Sequence, residues 1–167
     1  MSFGDRAALM FVSTTINGID AKGRVSVPAD FRATVTGQGF AGVYVWRSPF
    51  GDYLEGGGLR LLEDLHDAIE ELDPFDPARA AHERVIFGGA KALMFDSTGR
   101  VTLPRGLMEH AGLEKQAVFI GMGQRFEIWD PASHAEAEDE ARVIVVARRE
   151  HFEGAFEGAV DEKVAAD

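Results

Sequence analysis

The thirteen residues "DAKGRVSVPADFR" at 20–32 are answered seventy-six positions later by "DSTGRVTLPRGLM" at 96–108. Both read Asp-x-x-Gly-Arg-Val-x-x-Pro, with Ser26 matched by Thr102, Val27 by Leu103 and Phe31 by Leu107. The same offset sets Phe11 on Phe87, and "VYVW" at 43–46 meets "VFIG" at 118–121 with a slip of one. A repeat of this length is too long for a solenoid and, in a chain of 167 residues, too short for two independent domains. It confines the chain to two half-domains that complete one core.

Within each repeat the signals are mostly β. Val25–Val27 and Val101–Leu103 are short apolar or β-branched runs directly after a Gly turn, and Val43–Trp46, Val118–Gly121 and Phe126–Trp129 read as further strands. A brief helix opens at Pro28 or Pro104, because proline is tolerated in a first helical turn. Gly37 and Gly112 are placed to stop these helices. Each half therefore reads strand, loop, strand, short helix, strand, strand. A two-stranded ribbon does not stand alone in water, so the halves are expected to interlock into one barrel.

Between the repeats, Leu62, Leu65, Ile69 and Leu72 recur at helical spacing among acidic residues. "DPFDP" at 73–77 is read as the end of that helix and the start of a linker. A second acidic helix is expected from about Ala132 to Phe152, although its β-branched run also admits a strand, with fraying beyond Gly154. The division is then 9–62, first repeat; 63–84, acidic helix and linker; 85–131, second repeat; 132–167, acidic helix and tail.

The net charge of −11 at first argues against a nucleic-acid partner. Its distribution does not: residues 61–83 carry −7 and 134–167 carry −6, whereas 1–60 and 84–133 carry +1 each. Local charge governs contact with phosphates. The chain has no cysteine, which excludes disulfides, thiolate nucleophiles and zinc–thiolate sites. Its five histidines show no metal-ligand spacing with carboxylates, and neither "GMG" nor "GGG" belongs to a phosphate-binding fingerprint. No enzyme activity, metal, cofactor or small-molecule substrate is expected. The opening "MSFGDRAALMFVSTT" lacks the regions of a signal peptide, and no apolar run is long enough for a membrane span. A cytoplasmic protein without a membrane partner is the expectation.

Asp-x-x-Gly is ordinary turn chemistry, with the carboxylate capping backbone amides and Gly supplying a positive φ. Arg24 and Arg100 would then form structural salt bridges with Asp20 and Asp96, or across the repeats. The sharper reading has each loop present its arginine to guanine O6 and N7, a fork that lysine does not reproduce. The carboxylate four residues earlier would hold that side chain extended. Lys22, Arg32 and Arg105 are then candidates for phosphate contacts, which position a protein without reading sequence.

"DAKGRVSVPADFR", "DSTGRVTLP" and "AGLEKQAVFIGMGQRFEIWDP" together resemble the MraZ family of bacterial transcriptional regulators, over residues 9–135. The resemblance implies a mainly β fold with short helices: a pseudo-twofold swapped-hairpin barrel of two tandem AbrB-like repeats. It implies a nucleoid-associated regulator, a repressor in the first instance, of the cell-division and cell-wall operon. Such a regulator binds short G-rich promoter repeats in double-stranded DNA as a ring-like homo-oligomer. The family's Asp-x-x-x-Arg contact motif falls on Asp20 with Arg24 and on Asp96 with Arg100, and its basic residue on Lys22; Thr98 holds that place in the second repeat. "LEGGGLRL" at 54–61 departs from the family pattern. The rival is an antitoxin-like or scaffolding barrel without sequence-specific readout, against which the duplicated half counts.

Overall fold

The computed structural model describes residues 10–166, which divide into two compact units meeting between Pro131 and Ala132. In chain order the first unit contains β1 (Thr14–Gly18), β2 (Arg24–Ser26), α1 (Ala29–Thr36), β3 (Gly42–Arg47) and β4 (Leu54–Gly57). Next come α2 (Leu59–Glu70) and α3 (Pro77–Ile86). The second repeat follows as β5 (Lys91–Met94), β6 (Arg100–Thr102), α4 (Arg105–Ala111), β7 (Gln116–Gly121) and β8 (Phe126–Trp129). The second unit holds α5 (Pro131–Ala147) and α6 (Arg149–Ala166).

The strands record the duplication in their pairing. Six form one antiparallel sheet in the order β1-β7-β8-β4-β3-β5, and β2 pairs with β6 in a separate ribbon. Exchanging the repeats turns this order into itself read backwards. Each repeat's first strand pairs with the other repeat's third, which is the exchange expected of swapped hairpins. Two antiparallel pairs lie on the pseudo-twofold axis: Val25 opposite Val101 in the ribbon, and Glu55 opposite Glu127 in the sheet. The sheet's backbone ladders do not close into a continuous barrel; ribbon and sheet are joined instead through a shared core.

That core is apolar and drawn evenly from both halves. Val25, Val27, Val101 and Leu103 of the ribbon segments meet Val43, Val45, Leu54, Phe119, Phe126 and Ile128 of the sheet, with Phe31 and Leu107 added from the short helices. Phe11, Phe31 and Phe126 form its aromatic centre, at centroid distances of 5.2, 5.3 and 5.5 Å. Edge-to-face pairs of this kind add about 0.5–1.5 kcal/mol each beyond their buried area. No Phe11 equivalent reaches this centre from the second repeat; Phe87, its sequence counterpart, contacts His66 of α2 instead.

Several expectations need correcting. Tyr44 pairs with Gly57 as Val118 pairs with Trp129, so the repeats slip by two residues at β3 and β7, not one. Pro28 and Pro104 precede their helices as N-caps. Gly112 stops α4 in the left-handed region at φ 63°, but Gly37 closes α1 while still right-handed, and the positive φ of 97° falls at Gly39. Gly56 and Gly57 of "LEGGG" belong to β4, a buried strand between β3 and β8, and Gly58 is the N-cap of α2. A Cβ on Gly56 would lie 2.7 Å from the Tyr44 carbonyl oxygen and 2.8 Å from the Phe126 ring, so the strand passes where side chains have no room.

"DPFDP" ends one helix and starts another. Pro77 occupies the first turn of α3, and the Asp76 carboxylate caps it by accepting from Ala78 N at 2.9 Å. The tail is helical through Ala147, which settles the strand alternative, and α6 continues past Gly154 to Ala166 where fraying was expected. No helix among the described residues is long and apolar enough to cross a membrane.

Candidate nucleic-acid interface

The two loops are built alike, atom for atom. In the first, Asp20 Oδ1 accepts from the backbone N–H groups of Lys22 and Arg24, both at 2.9 Å. Asp20 O accepts from Gly23 N at 3.0 Å, and Gly23 takes φ 81°. In the second, Asp96 Oδ1 accepts from Thr98 N and Arg100 N at 2.9 Å, and Gly99 again has φ 81°. Glycine is needed there because an L side chain is strained at that φ. The turn reading of the motif is therefore correct in both copies.

The turn also aims an arginine. Arg24 donates its Nε to Asp20 Oδ2 at 2.6 Å, and Arg100 donates its Nε to Asp96 Oδ2 at 2.9 Å. Each carboxylate thus holds its arginine by backbone N–H and side-chain Nε together. At about one-third exposure such pairs are screened by solvent and add little stability. Their effect is directional: with Nε engaged, the two terminal nitrogens remain as a planar fork.

Both carboxyls are held below the usual carboxylate range. For Asp20 the largest cause is the Arg24 backbone N–H; burial opposes it, and the Arg24 side chain and Lys22 N–H add to it. For Asp96 the Arg100 backbone N–H again leads, against burial, with the Thr98 hydroxyl and N–H next. The carboxylates stay ionised and keep their arginines fixed across the neutral range.

The ribbon places the two loops side by side. Arg24 lies opposite Thr102 and Arg100 opposite Ser26, and the loops cross-brace through Leu103 N to Gly23 O at 2.9 Å and Val27 N to Gly99 O at 3.2 Å. Arg100 Nη1 comes within 3.8 Å of Asp20 Oδ2, the carboxylate of the other repeat. Two arginine forks and two carboxylates therefore share one small surface at the pseudo-twofold axis.

The remaining candidates separate. Lys22 is exposed, its ammonium without a partner among the described residues, and with Arg105 it lines an open concavity of about 620 Å³ beside the first loop. Arg105 is 92 % exposed and paired with Glu109 at 2.8 Å. Arg32 does not join them. It is half-buried, donates Nη1 to Val27 O at 2.5 Å, and packs its guanidinium where a Cβ on Gly99 would lie. Its counterpart Met108 backs Gly23 in the same way through its sulfur. The charge of Arg32 drew attention in the sequence, whereas its place is that of a buttress. Thr98, standing where Lys22 stands, turns its hydroxyl inward to Asp96 Oδ1 at 2.9 Å.

Sequence reasoning missed the buried carboxylates on the opposite side of the sheet. Glu55 and Glu127 face each other on the axis and are held by indole donors, Trp46 Nε1 at 3.0 Å and Trp129 Nε1 at 2.9 Å. The alternation Leu54-Glu55 and Phe126-Glu127-Ile128 carried that signal, since period-2 polar positions mark a second sheet face. No group of three or more potential metal ligands occurs among the described residues.

Residues 86–151 match the family model described as "MraZ protein, putative antitoxin-like". A transcriptional regulator MraZ from Rickettsia canadensis (strain McKiel) is 44 % identical over 140 residues, 84 % of this chain and 94 % of the relative. One from Rickettsia felis (strain ATCC VR-1525 / URRWXCal2) has the same identity and coverage. The protein of that name from Rickettsia bellii (strain OSU 85-389) is 47 % identical over 123 residues, 73 % of this chain and 82 % of its own. With that identity extending over both repeats, the chain belongs to the MraZ family of transcriptional regulators.

Proposed function

We propose that the chain regulates transcription by sequence-specific binding to double-stranded promoter DNA, with Arg24 and Arg100 reading guanines in the major groove. The observation that carries this reading is the pair of Asp-held arginines: the terminal fork of Arg24 is left for a ligand, and that of Arg100 has one nitrogen 3.8 Å from the Asp20 carboxylate. A guanidinium aimed by a carboxylate makes the bidentate contact to O6 and N7, and each such contact discriminates by about 1–3 kcal/mol. Asp20 and Asp96 position these side chains, Lys22 and Arg105 contact phosphates, and Arg32 supports the second loop from behind.

Two reading heads on one pseudo-twofold axis give a single subunit modest discrimination. In a homo-oligomeric ring, several such pairs facing one duplex would gain avidity through effective concentration. Short G-rich repeats in the promoter of the cell-division and cell-wall operon, with repression as the outcome, fit this arrangement and the resemblance noted above.

Methylation interference on the DNA upstream of the chain's own gene tests the reading. Guanine N7 methylation within the repeats should abolish binding, since it fills the acceptor that each arginine uses. Interference confined to adenine N3, in the minor groove, would refute major-groove readout.

A further inference from the structure

A cleft of about 510 Å³ lies between α4, the end of β3 and the α3–β5 connection. Arg47, Arg84 and Lys91 line it, together with the backbone of Gly88, Gly89 and Gly106, and no acidic residue does. Three cations gathered without a carboxylate are unexpected in a chain of net charge −11. Elsewhere Arg24, Arg79, Arg100, Arg105, Arg125, Arg142 and Arg149 each stand beside a carboxylate. Arg47, Arg84 and Lys91 are exposed, and their side chains have no hydrogen bond or ion pair among the described residues.

We infer that this cleft is a binding site for a phosphate group. Like charges held around one concavity repel unless an anion neutralises them, and two arginine forks with an ammonium suit a multiply charged oxyanion. Three of the lining residues are glycines, and Ser48, Pro49, Val85, Pro104 and Leu107 complete the wall. A Cβ on Gly106 would lie 2.9 Å from Arg47 Nη2, so its absence lets that guanidinium lie against the first turn of α4.

The cleft and the candidate interface both border α4. Pro104, on its wall, follows Leu103, whose N–H is bonded to Gly23 O in the first loop, and Arg105 is next in sequence. Arg105, Met108 and Glu109 line the concavity beside Lys22 while Gly106 and Leu107 line the cleft, so the two flank α4 on different faces. The phosphate has two possible sources of the same chemistry, the DNA backbone flanking the site that is read, or a free phosphorylated small molecule. The site itself does not depend on the arginine-reading proposal.

The test uses the full chain and a triple variant, Arg47→Gln, Arg84→Gln and Lys91→Gln. All three side chains are exposed, and circular dichroism checks the fold. Affinity for a duplex of arbitrary sequence is measured against salt, and melting is measured with and without inorganic pyrophosphate. If the source is the DNA backbone, the variant loses affinity for every sequence and its log–log salt slope falls by about two to three. If it is free phosphate, the slope is unchanged, pyrophosphate raises the melting temperature of the wild type, and the variant does not respond. An unchanged slope with a pyrophosphate response that is absent, or equal in both proteins, overturns the site. Loss of sequence discrimination in Arg24 and Arg100 variants is a separate readout, so the two proposals can fail independently.

Discussion

Arg100 Nη1 lies 3.8 Å from Asp20 Oδ2, so a carboxylate of the first repeat reaches the arginine of the second. No reciprocal ion pair joins Arg24 to Asp96 among the described residues. Asp20 touches both loop arginines and Asp96 touches one. The pseudo-twofold arrangement is therefore unequal in its electrostatics.

Asp20→Ala should accordingly impair sequence discrimination more than Asp96→Ala, by no more than about a few-fold, because an exposed ion pair is weak. The operator-to-scrambled affinity ratio of each variant measures this. Equal losses would show that the cross-repeat contact contributes nothing to reading.

Lys22 and Thr98 occupy the same place in the two repeats, yet only the hydroxyl of Thr98 is engaged, with Asp96 Oδ1 at 2.9 Å. Lys22→Ala should weaken binding to all sequences and lower the salt slope by about one, leaving thermal stability unchanged. Thr98→Ala should do the reverse, costing roughly 0.5–1.5 kcal/mol of stability with the slope intact. Parallel salt titrations and thermal melts separate the two.

Gly23 and Gly99 share φ 81°, but their surroundings differ. A Cβ at Gly23 would meet Leu103 O at 3.2 Å, whereas one at Gly99 would meet the Arg32 guanidinium at 2.7 Å. Each Gly→Ala change should destabilise by about 1–2 kcal/mol through the left-handed backbone alone. Gly99→Ala should in addition displace Arg32. In an Arg32→Ala background that extra cost should vanish, a double-mutant cycle read by urea denaturation.

The depressed carboxyls set a direction for pH. Asp20 and Asp96 have folded values below their ordinary value of 3.8, so their stabilisation is complete above that value. It is lost as pH falls through the lower folded values. Replacing both by Asn should lower the urea midpoint at neutral pH and flatten its decline below about pH 4. An acid limb identical to wild type would mean that these carboxyls do not sense folding.

Much of this was legible because the repeat is written in residues that admit few conformations. Asp, Gly and Arg at fixed spacing specify a turn with a held arginine, and the structure has that turn twice. What stayed hidden depends on neighbours. Gly56 and Gly57 stood out only as a departure from the family pattern, but their strand is set by the backbone of Tyr44 and the ring of Phe126 packed against it. Pro77 read as a helix breaker because its capping partner, Asp76, was counted with the break. Arg32 read as a phosphate ligand because sequence gives its charge and not the carbonyl of Val27 that takes it. The basic cleft escaped notice because Arg47 lies far in the chain from Arg84 and Lys91 and joins them only when α3, β3 and β5 are placed.

The central claim is that Arg24 and Arg100 read bases. The direct measurement is the affinity of wild type and of the Arg24→Ala/Arg100→Ala variant for the chain's own upstream DNA and for a scrambled duplex at equal salt. The account predicts that the variant stays folded and binds both duplexes with nearly the same weak affinity, its discrimination reduced by about 2–6 kcal/mol for two lost bidentate contacts. A folded double variant that still prefers the upstream DNA as strongly as wild type would contradict the account and leave the twin loops as turns alone.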